Sequence, residues 1–524
     1  MASKSLLIKI PSLPFNLDTL RPDAHLARIA GHLGESGHRT EIRDFGTLEM
    51  LQRLYPERFQ RTAIEKTDQH CAGKERAKPV SFLDRWKSRR EFGSLEQHQE
   101  SVYREIAESI ITEKSLDFIV FSLDTELDHA ICAYVVPFIR YACPGVRVVG
   151  TGPLFQEERS HVAGCLPLFD CIYWGRSGTS FARWANCLES RDDWQRIPFL
   201  AYSDSVRMYI TKSEYDRVEV DEVSPDYSRE VYPALYDETK ILYFDIEEVA
   251  ASDSPGKGHI KTPERVVDEI RLIGKQFKTV SYHISGSSSD PNHAEDLARE
   301  ILERNLNIRY TRECHVASVR TSTFSTLSAS GCAGIDFQID SGSQRLLDRY
   351  YRHPFGVSQI EQAIRAARFS NLYTVMKFVY PSVEDDYHTM EETLRLIRRS
   401  KPHGTNVEIP AQEHRKTSDL KSRFRSKPKL RSQSDIELEY DELCDSVHEF
   451  GISTEMTPGL AFLAELSGFR GREEEFLDQT TYQLMAGDIA GVESLIVGIN
   501  KALRGKVNPF AFTPFTRLQH VVGN

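Results

Sequence analysis

The chain has 524 residues, 40% hydrophobic and 27% charged, values that suit two or three folded domains and exclude disorder over most of the length. A formal net charge of −11 excludes a general nucleic-acid binder, whose basic surface must neutralise phosphates. The leading apolar run Leu6-Leu7-Ile8 is too short for a signal-peptide core and no later run approaches a membrane span, so the sequence predicts a cytoplasmic protein with a small-molecule substrate or a protein partner, no nucleic acid and no membrane.

In chain order, β-rich runs at 5–11, 40–45, 117–124, 146–150 and 171–174 alternate with helical patterns. The first helix places Leu26, Ile29, Ala30 and Leu33 on one face before Gly34 and Gly37, and others follow at 101–114, 129–141 and 179–188. This alternation predicts an α/β domain over 1–188 with a mostly parallel, doubly wound sheet of Rossmann type. Ligands of such sheets sit beyond the carboxyl ends of the strands, here on the loops 12–23, 44–47, 123–128, 150–155 and 175–178. Residues 48–95 form a polar insertion, including Arg85-Trp86-Lys87-Ser88-Arg89-Arg90, that reads as a solvated helix or loop. Residues 189–238 lack sustained periodicity and carry Pro198, Pro225 and Pro233, as in a linker.

A second alternation occupies 239–411, with strands predicted at 240–245, 279–284, 307–312, 334–339, 373–380 and 406–410. Thr262-Pro263-Glu264 opens a helix that places Val266, Ile270, Ile273 and Phe277 on one face, and helices at 293–304, 322–330, 358–369 and 386–400 follow. Six strands in βα order predict a partial (β/α)6 TIM-like barrel whose active site lies at the carboxyl ends of its strands. Residues 412–524 begin as a basic connector and continue as a small α-rich tail with helical patterns at 436–450 and 492–503. Cysteines 71, 132, 143, 165, 171, 187, 314, 332 and 444 form no C-x-x-C pair and read mostly as small buried hydrophobes.

Several segments carry a resemblance. Val148-Val149-Gly150-Thr151-Gly152-Pro153 looks like V-V-G-G-P, and 170–181 is similar to D-x-V-V-x-G-E-G-E-x-T-F with both glutamates replaced. Thr262-Pro263-Glu264-Arg265-Val266-Val267-Asp268-Glu269-Ile270 matches S-P-E-x-V-V-x-E-I, and 331–344 is similar to G-C-x-x-V-x-I-G-x-E-S-G-S-Q with Asp340 in place of Glu. Over about residues 1–410 the chain thereby resembles the cobalamin-dependent radical S-adenosylmethionine enzymes, typified by natural-product C-methyltransferases. The resemblance implies a cobalamin site at Pro14, Asp44, Gly46, Asp124, Thr125, Gly150, Thr151, Gly152 and Gly175, and an S-adenosylmethionine-like pocket at Asp340, Ser341 and Gly342.

The departure from that family is in its cluster loop. The C-x-x-x-C-x-x-C motif should fall near 245–258, where the residues are Asp245-Ile246-Glu247-Glu248-Val249-Ala250-Ala251-Ser252-Asp253-Ser254-Pro255-Gly256-Lys257-Gly258, without a cysteine. Thiolates hold such clusters, so a [4Fe–4S] cluster is not expected, and S-adenosylmethionine stays open as a ligand. The loops at 285–290, 380–386 and 408–414 also differ from the family pattern. Asp44-Phe45-Gly46-Thr47 lacks the histidine of D-x-H-x-x-G, which implies base-off cobalamin without a protein histidine ligand.

Glu247 and Glu248 are the candidate general acid and base, against the plainer reading of solvated loop carboxylates. His259 and His283 could ligate a mononuclear metal but read more simply as structural, and no metal is assigned. The reading favours an enzyme of specialised metabolism, either a cobalamin-dependent methyltransferase acting by polar transfer or a repurposed non-methylating enzyme. The alternative is a non-catalytic cobalamin-binding pseudoenzyme, the partner of an intact homologue.

Overall fold

The computed structural model describes residues 2–11, 17–59, 82–157, 160–175, 178–204, 207–211, 223–237, 240–250, 259–286, 292–318, 320–409, 433–454, 456–467 and 488–504, with scattered positions between 469 and 483. Two compact units are present: Met1–Leu242 with Gln479–Val497, and Tyr243–Asp478 with Gly498–Asn524.

The first unit is built on a seven-stranded sheet of order β2-β1-β3-β4-β5-β6-β7. Strands β1 (Lys4–Lys9), β2 (Arg39–Asp44), β3 (Phe118–Ser122), β4 (Arg147–Thr151) and β5 (Cys171–Tyr173) run parallel. Every residue of β3 is buried, as expected of a central strand covered on both faces. Helix α1 (Ala24–Glu35) is capped by Asp23, which accepts the Leu26 N–H. Helices α2 (Leu48–Leu54), α3 (Phe82–Ile111), α4 (Glu126–Ala142) and α5 (Gly178–Asn186) complete the unit's main helices. Glycine at 178 lets α5 approach α1, because a Cβ there would fall 2.1 Å from His32 Cδ2.

Two differences from the sequence reading stand out. The 189–238 segment contributes β6 (Leu200–Ser203) and β7 (Met208–Ile210), which extend the sheet in antiparallel fashion. Strands of three and four residues hold too few alternations to show a period. The polar insertion opens with α2, whose Leu48, Met50, Leu51 and Leu54 are buried, and α3 begins inside it at Phe82.

The second unit holds a six-stranded parallel sheet of order β15-β14-β13-β12-β11-β8, the partial barrel that the alternation predicts. Its strands are β8 (Phe244–Glu247), β11 (Ser281–Ser285), β12 (Arg309–His315), β13 (Cys332–Asp340), β14 (Tyr373–Val379) and β15 (Gly404–Glu408). A short antiparallel ribbon, β9 (Val249–Ala250) with β10 (His259–Ile260), follows β8. Helices α6 (Pro263–Phe277), α7 (His293–Glu303), α8 (Thr321–Ala329), α9 (Val357–Phe369) and α10 (Tyr387–Ser400) connect the strands. They cover the outer face, where Phe244 meets Phe277 at 4.8 Å between ring centroids and Phe324 meets Phe337 at 6.0 Å.

Beyond the barrel lie α11 (Gln433–Glu449) and α12 (Pro458–Leu466). Helix α12 packs across the inner face at the amino-terminal ends of β12–β14. Pro458 touches Gly334, Ala461 joins Tyr373 and Val375, and Arg309 lies 4.4 Å over the Phe462 ring. Among the described residues, no helix is long and apolar enough to cross a membrane.

Candidate functional site

In the first unit, the carboxyl edge of the parallel strands brings Lys9, Asp44, Ser122 and Thr151 together, with Asp124, Thr125, Gly152 and Gly175 just beyond. Pro14 lies outside the described residues. Asp44 is fully engaged by its own unit. Its Oδ1 accepts the Gly46 N–H at 2.8 Å, and its Oδ2 accepts the Tyr232 hydroxyl at 2.5 Å and the Lys240 ammonium at 2.6 Å. Lys240 also donates to the Gly46 carbonyl at 2.5 Å. Burial, opposed by the adjacent carboxylate of Asp44, pulls Lys240 down to about 8. Asp44 and Gly46 therefore shape the loop after β2 and leave no open side chain there.

Thr151 is closed in the same way: its hydroxyl donates to the Tyr173 carbonyl at 2.8 Å and lies 2.9 Å from His25 Nε2. Gly152 adopts φ +114°, and a Cβ would fall 2.5 Å from the Leu123 carbonyl oxygen. The Asp124 and Thr125 backbone N–H groups donate to Asp128 Oδ2 at 2.8 and 2.9 Å, fixing the start of α4. Surrounding protein, then Asp23 and Asp128, push the Asp124 carboxyl up to about 7. Asp124 itself is exposed and lies at the solvent edge rather than in the core.

Three groups at this edge escaped the sequence reading. Ser122 Oγ, Asp128 Oδ1 and Trp174 Nε1 are buried and have no hydrogen-bond partner among the described residues. The available signals were Ser122 ending an apolar strand, Asp128 three residues after the Thr125 cap, and Trp174 just after β5. Buried polar atoms are ordinarily paired, so open ones at strand ends suit a ligand rich in amide groups. A corrin carries amide groups around its rim, and the donor set fits that rim; none of the three atoms is a conventional cobalt ligand.

In the second unit, Glu247 and Glu248 face opposite sides of the sheet. Glu247 ends β8 in register with Ser285 on the inner face. Glu248 turns to the outer side, where its Oε1 accepts from Arg312 at 2.7 Å and its Oε2 lies 3.5 Å from His293 Nε2. Glu248 is fully buried and anchors the strand end. The β9–β10 ribbon closes the base of the loop where the cluster motif should lie, and residues 251–258 are outside the described set. His259 pairs with Ala250 through the backbone, and His283 Nδ1 lies 2.8 Å from Thr311 Oγ1.

At the end of β13, Asp340 has φ +66° beside a register shift. Its Oδ1 accepts the Gln338 amide and its Oδ2 the His353 ring Nε2 at 2.7 Å. Ser341 Oγ accepts the Ser343 N–H at 3.1 Å, and the Gly342 N–H donates to Thr393 Oγ1 at 3.0 Å. Both Asp340 oxygens and the following turn are thus held by bonds within the protein, which fixes the geometry of this strand end. Sequence reasoning missed His353. Its ring stacks with those of Tyr351, 5.9 Å away, and Phe355, 4.5 Å away, with His315 edge-on at 6.2 Å. Burial, then the nearby His353, lowers the His315 value.

Among the described residues, no group of three or more His, Cys, Asp or Glu side chains could hold a metal ion. Burial raises the Cys314 thiol to about 11 and raises Cys332 as well, as befits inert core thiols.

No known sequence family and no curated protein matches the chain. Its structure is similar to the radical S-adenosylmethionine methyltransferase TsrM from Kitasatospora setae, solved with cobalamin and a [4Fe–4S] cluster bound. The TM-score is 0.55 at 14% identity, over 78% of this chain and 75% of that one. It is also similar to TsrM solved with tryptophan substrate and the analogue aza-SAM, at a TM-score of 0.55, 14% identity and coverage of 78% and 73%. The cobalamin-dependent S-adenosylmethionine radical enzyme OxsB, with aqua-cobalamin and S-adenosylmethionine bound, gives a TM-score of 0.53 at 12% identity, over 90% of this chain and 62% of that one.

Proposed function

We propose that this chain, which has the fold of the cobalamin-dependent radical S-adenosylmethionine enzymes, is a cobalamin-binding enzyme of specialised metabolism that works by polar chemistry without a [4Fe–4S] cluster. The observation that carries this reading is the loop after β8: it has no thiolate to offer a cluster, while a histidine–carboxylate pair stands at the end of β13.

The carboxyl edge of β3–β5 would hold the corrin rim through Ser122, Asp128 and Trp174, with Asp124 exposed beside it. Cobalamin, when bound, supplies a transferable methyl group that needs no radical initiator. The chain's own part is proton handling. With the imidazole proton on Nε2 held by Asp340, His353 presents Nδ1 to take a proton from a substrate nucleophile, and Asp340 stabilises the resulting imidazolium. Stacking with Tyr351 and Phe355 limits the rotation of the ring. The same pair would serve a non-methylating acid–base step.

The test is the ultraviolet–visible spectrum of the purified protein after anaerobic incubation with hydroxocobalamin, iron and sulfide, followed by desalting. Retained corrin bands without broad cluster absorbance are expected. Loss of the corrin, or a stoichiometric cluster, would overturn the reading. Were the chain instead a non-catalytic partner subunit, His353→Gln would leave the turnover of the assembled complex unchanged.

A further inference from the structure

The inner face of the barrel sheet is charged, where barrels of this type ordinarily carry branched apolar side chains. Residues in register on parallel strands project to the same side. Glu313 is in register with Asp336, His315 with Gln338, and Gln338 with Lys377. On β8 and β11 the same side carries Asp245 with His283 and Glu247 with Ser285; on β14 and β15 it carries Lys377 with Asn406 and Val379 with Glu408. Among the described residues, Asp245, Glu247, Glu313, Asp336 and Glu408 therefore share this face with the Lys377 ammonium, which Glu408 engages at 2.6 Å, and with Arg309 at its amino-terminal end, whose guanidinium lies 3.6 Å from Glu465.

Carboxylates alone do not make a site; the condition of Asp336 does. It is only 9% exposed, and its Oδ1 has no hydrogen-bond partner among the described residues. Its neighbour Glu313 accepts the Gly286 N–H through Oε2 at 2.9 Å and offers Asp336 no proton donor when ionised. Asp245 Oδ1, on the same face, is buried and equally without a partner among the described residues. An open, buried carboxylate oxygen is unfavourable until a donor reaches it, and beside further carboxylates a cationic donor meets both needs. Burial and then Glu313 push the Asp336 carboxyl up to about 7, so a cation arriving there also restores its charge.

We infer that the inner face of the barrel binds its substrate through a protonated nitrogen, an alkylammonium or guanidinium group whose N–H bonds go to Asp336 and Glu313. This assignment of substrate class rests on the reading that the barrel holds the substrate. It separates cationic substrates from neutral or acidic ones of equal size by leaving buried carboxylates unpaired in the latter case.

The test is saturation-transfer NMR on the full-length protein at pH 8 with butylammonium and, separately, butyrate as probes. Transfer to butylammonium and none to butyrate is expected. Asp336→Asn and Glu313→Gln should each weaken the butylammonium signal, with a roughly tenfold lower affinity for Asp336→Asn, while thermal melting shows both variants folded. Equal transfer to both probes, no transfer to either, or a signal unchanged in folded Asp336→Asn would overturn the inference. Displacement of butylammonium by added S-adenosylmethionine would assign the carboxylates to that cation and overturn the substrate reading. Corrin retention is measured on the same preparation, so loss of corrin with butylammonium binding intact would sink the cobalamin reading alone.

Discussion

The Lys240 ammonium lies 2.6 Å from Asp44 Oδ2, and neither side chain reaches solvent. Breaking such a pair leaves the other charge buried without compensation, which costs more than the pair itself contributes. Asp44→Ala is expected to destabilise the first unit by about 3–5 kcal/mol, and adding Lys240→Met should recover much of that loss. Denaturant unfolding of the two variants and their double mutant measures it; purely additive losses would show that the ion pair is not what holds the loop.

Gly152→Ala places a Cβ against the Leu123 carbonyl in a left-handed backbone region. The loop after β4 must then move, at roughly 2–4 kcal/mol, and the edge that gathers Ser122 and Trp174 moves with it. A lower melting temperature together with loss of hydroxocobalamin after desalting is expected. Unchanged corrin retention would place the corrin away from this edge.

Neighbouring glutamates should respond differently. Glu248→Gln removes the charge facing Arg312 and His293 in a fully buried setting, and about 3–5 kcal/mol of stability should go with it. Glu247→Gln leaves that triad intact and should cost less stability than Glu248→Gln. Thermal melting separates the two, and equal losses would contradict the division of roles.

Asp336 gives the barrel a pH signature. Its folded value of about 7 lies above the ordinary carboxylate value of 3.8, so the folded state holds the proton more tightly. Stability from this group is full below the ordinary value and is lost as pH rises toward and through 7. At about 1.36 kcal/mol per unit the swing reaches roughly 4 kcal/mol at most, shared with the neighbouring Glu313, Lys377 and Glu408. Asp336→Asn should flatten the decline in melting temperature between pH 5 and pH 8; an unchanged slope would assign the decline to other groups.

His353→Gln should lower kcat by roughly 10²–10⁴ while corrin retention stays unchanged. Asp340→Asn should keep part of the rate, because the imidazolium loses its carboxylate partner but the ring nitrogen remains. Thermal melting of both variants decides, since a merely structural role for His353 would lower the rate only together with the melting temperature.

Much of the fold was legible because βα alternation is a local signal. Thr262-Pro263 announced α6 one residue before it begins, and the six barrel strands lie within a few residues of the apolar runs that foretold them. The candidate site was legible only in part. Gly152 was found through its turn, and Asp340 through the motif around it. His353, thirteen residues further along, had no periodicity or motif to mark it.

By itself, the sequence determined where strands and helices alternate, which loops end the strands, and that the loop after the first barrel strand holds no cysteine, because each of these is written in adjacent residues. Only the tertiary structure decided which polar groups are spent and which stay open. Tyr232 meets Asp44 across 188 residues of chain, Arg312 claims Glu248 across 64, and Asp336 Oδ1 is left without a donor among the described residues by strands that come together only on folding. Hydrogen bonds and charges are satisfied by proximity in space, which local sequence patterns do not encode.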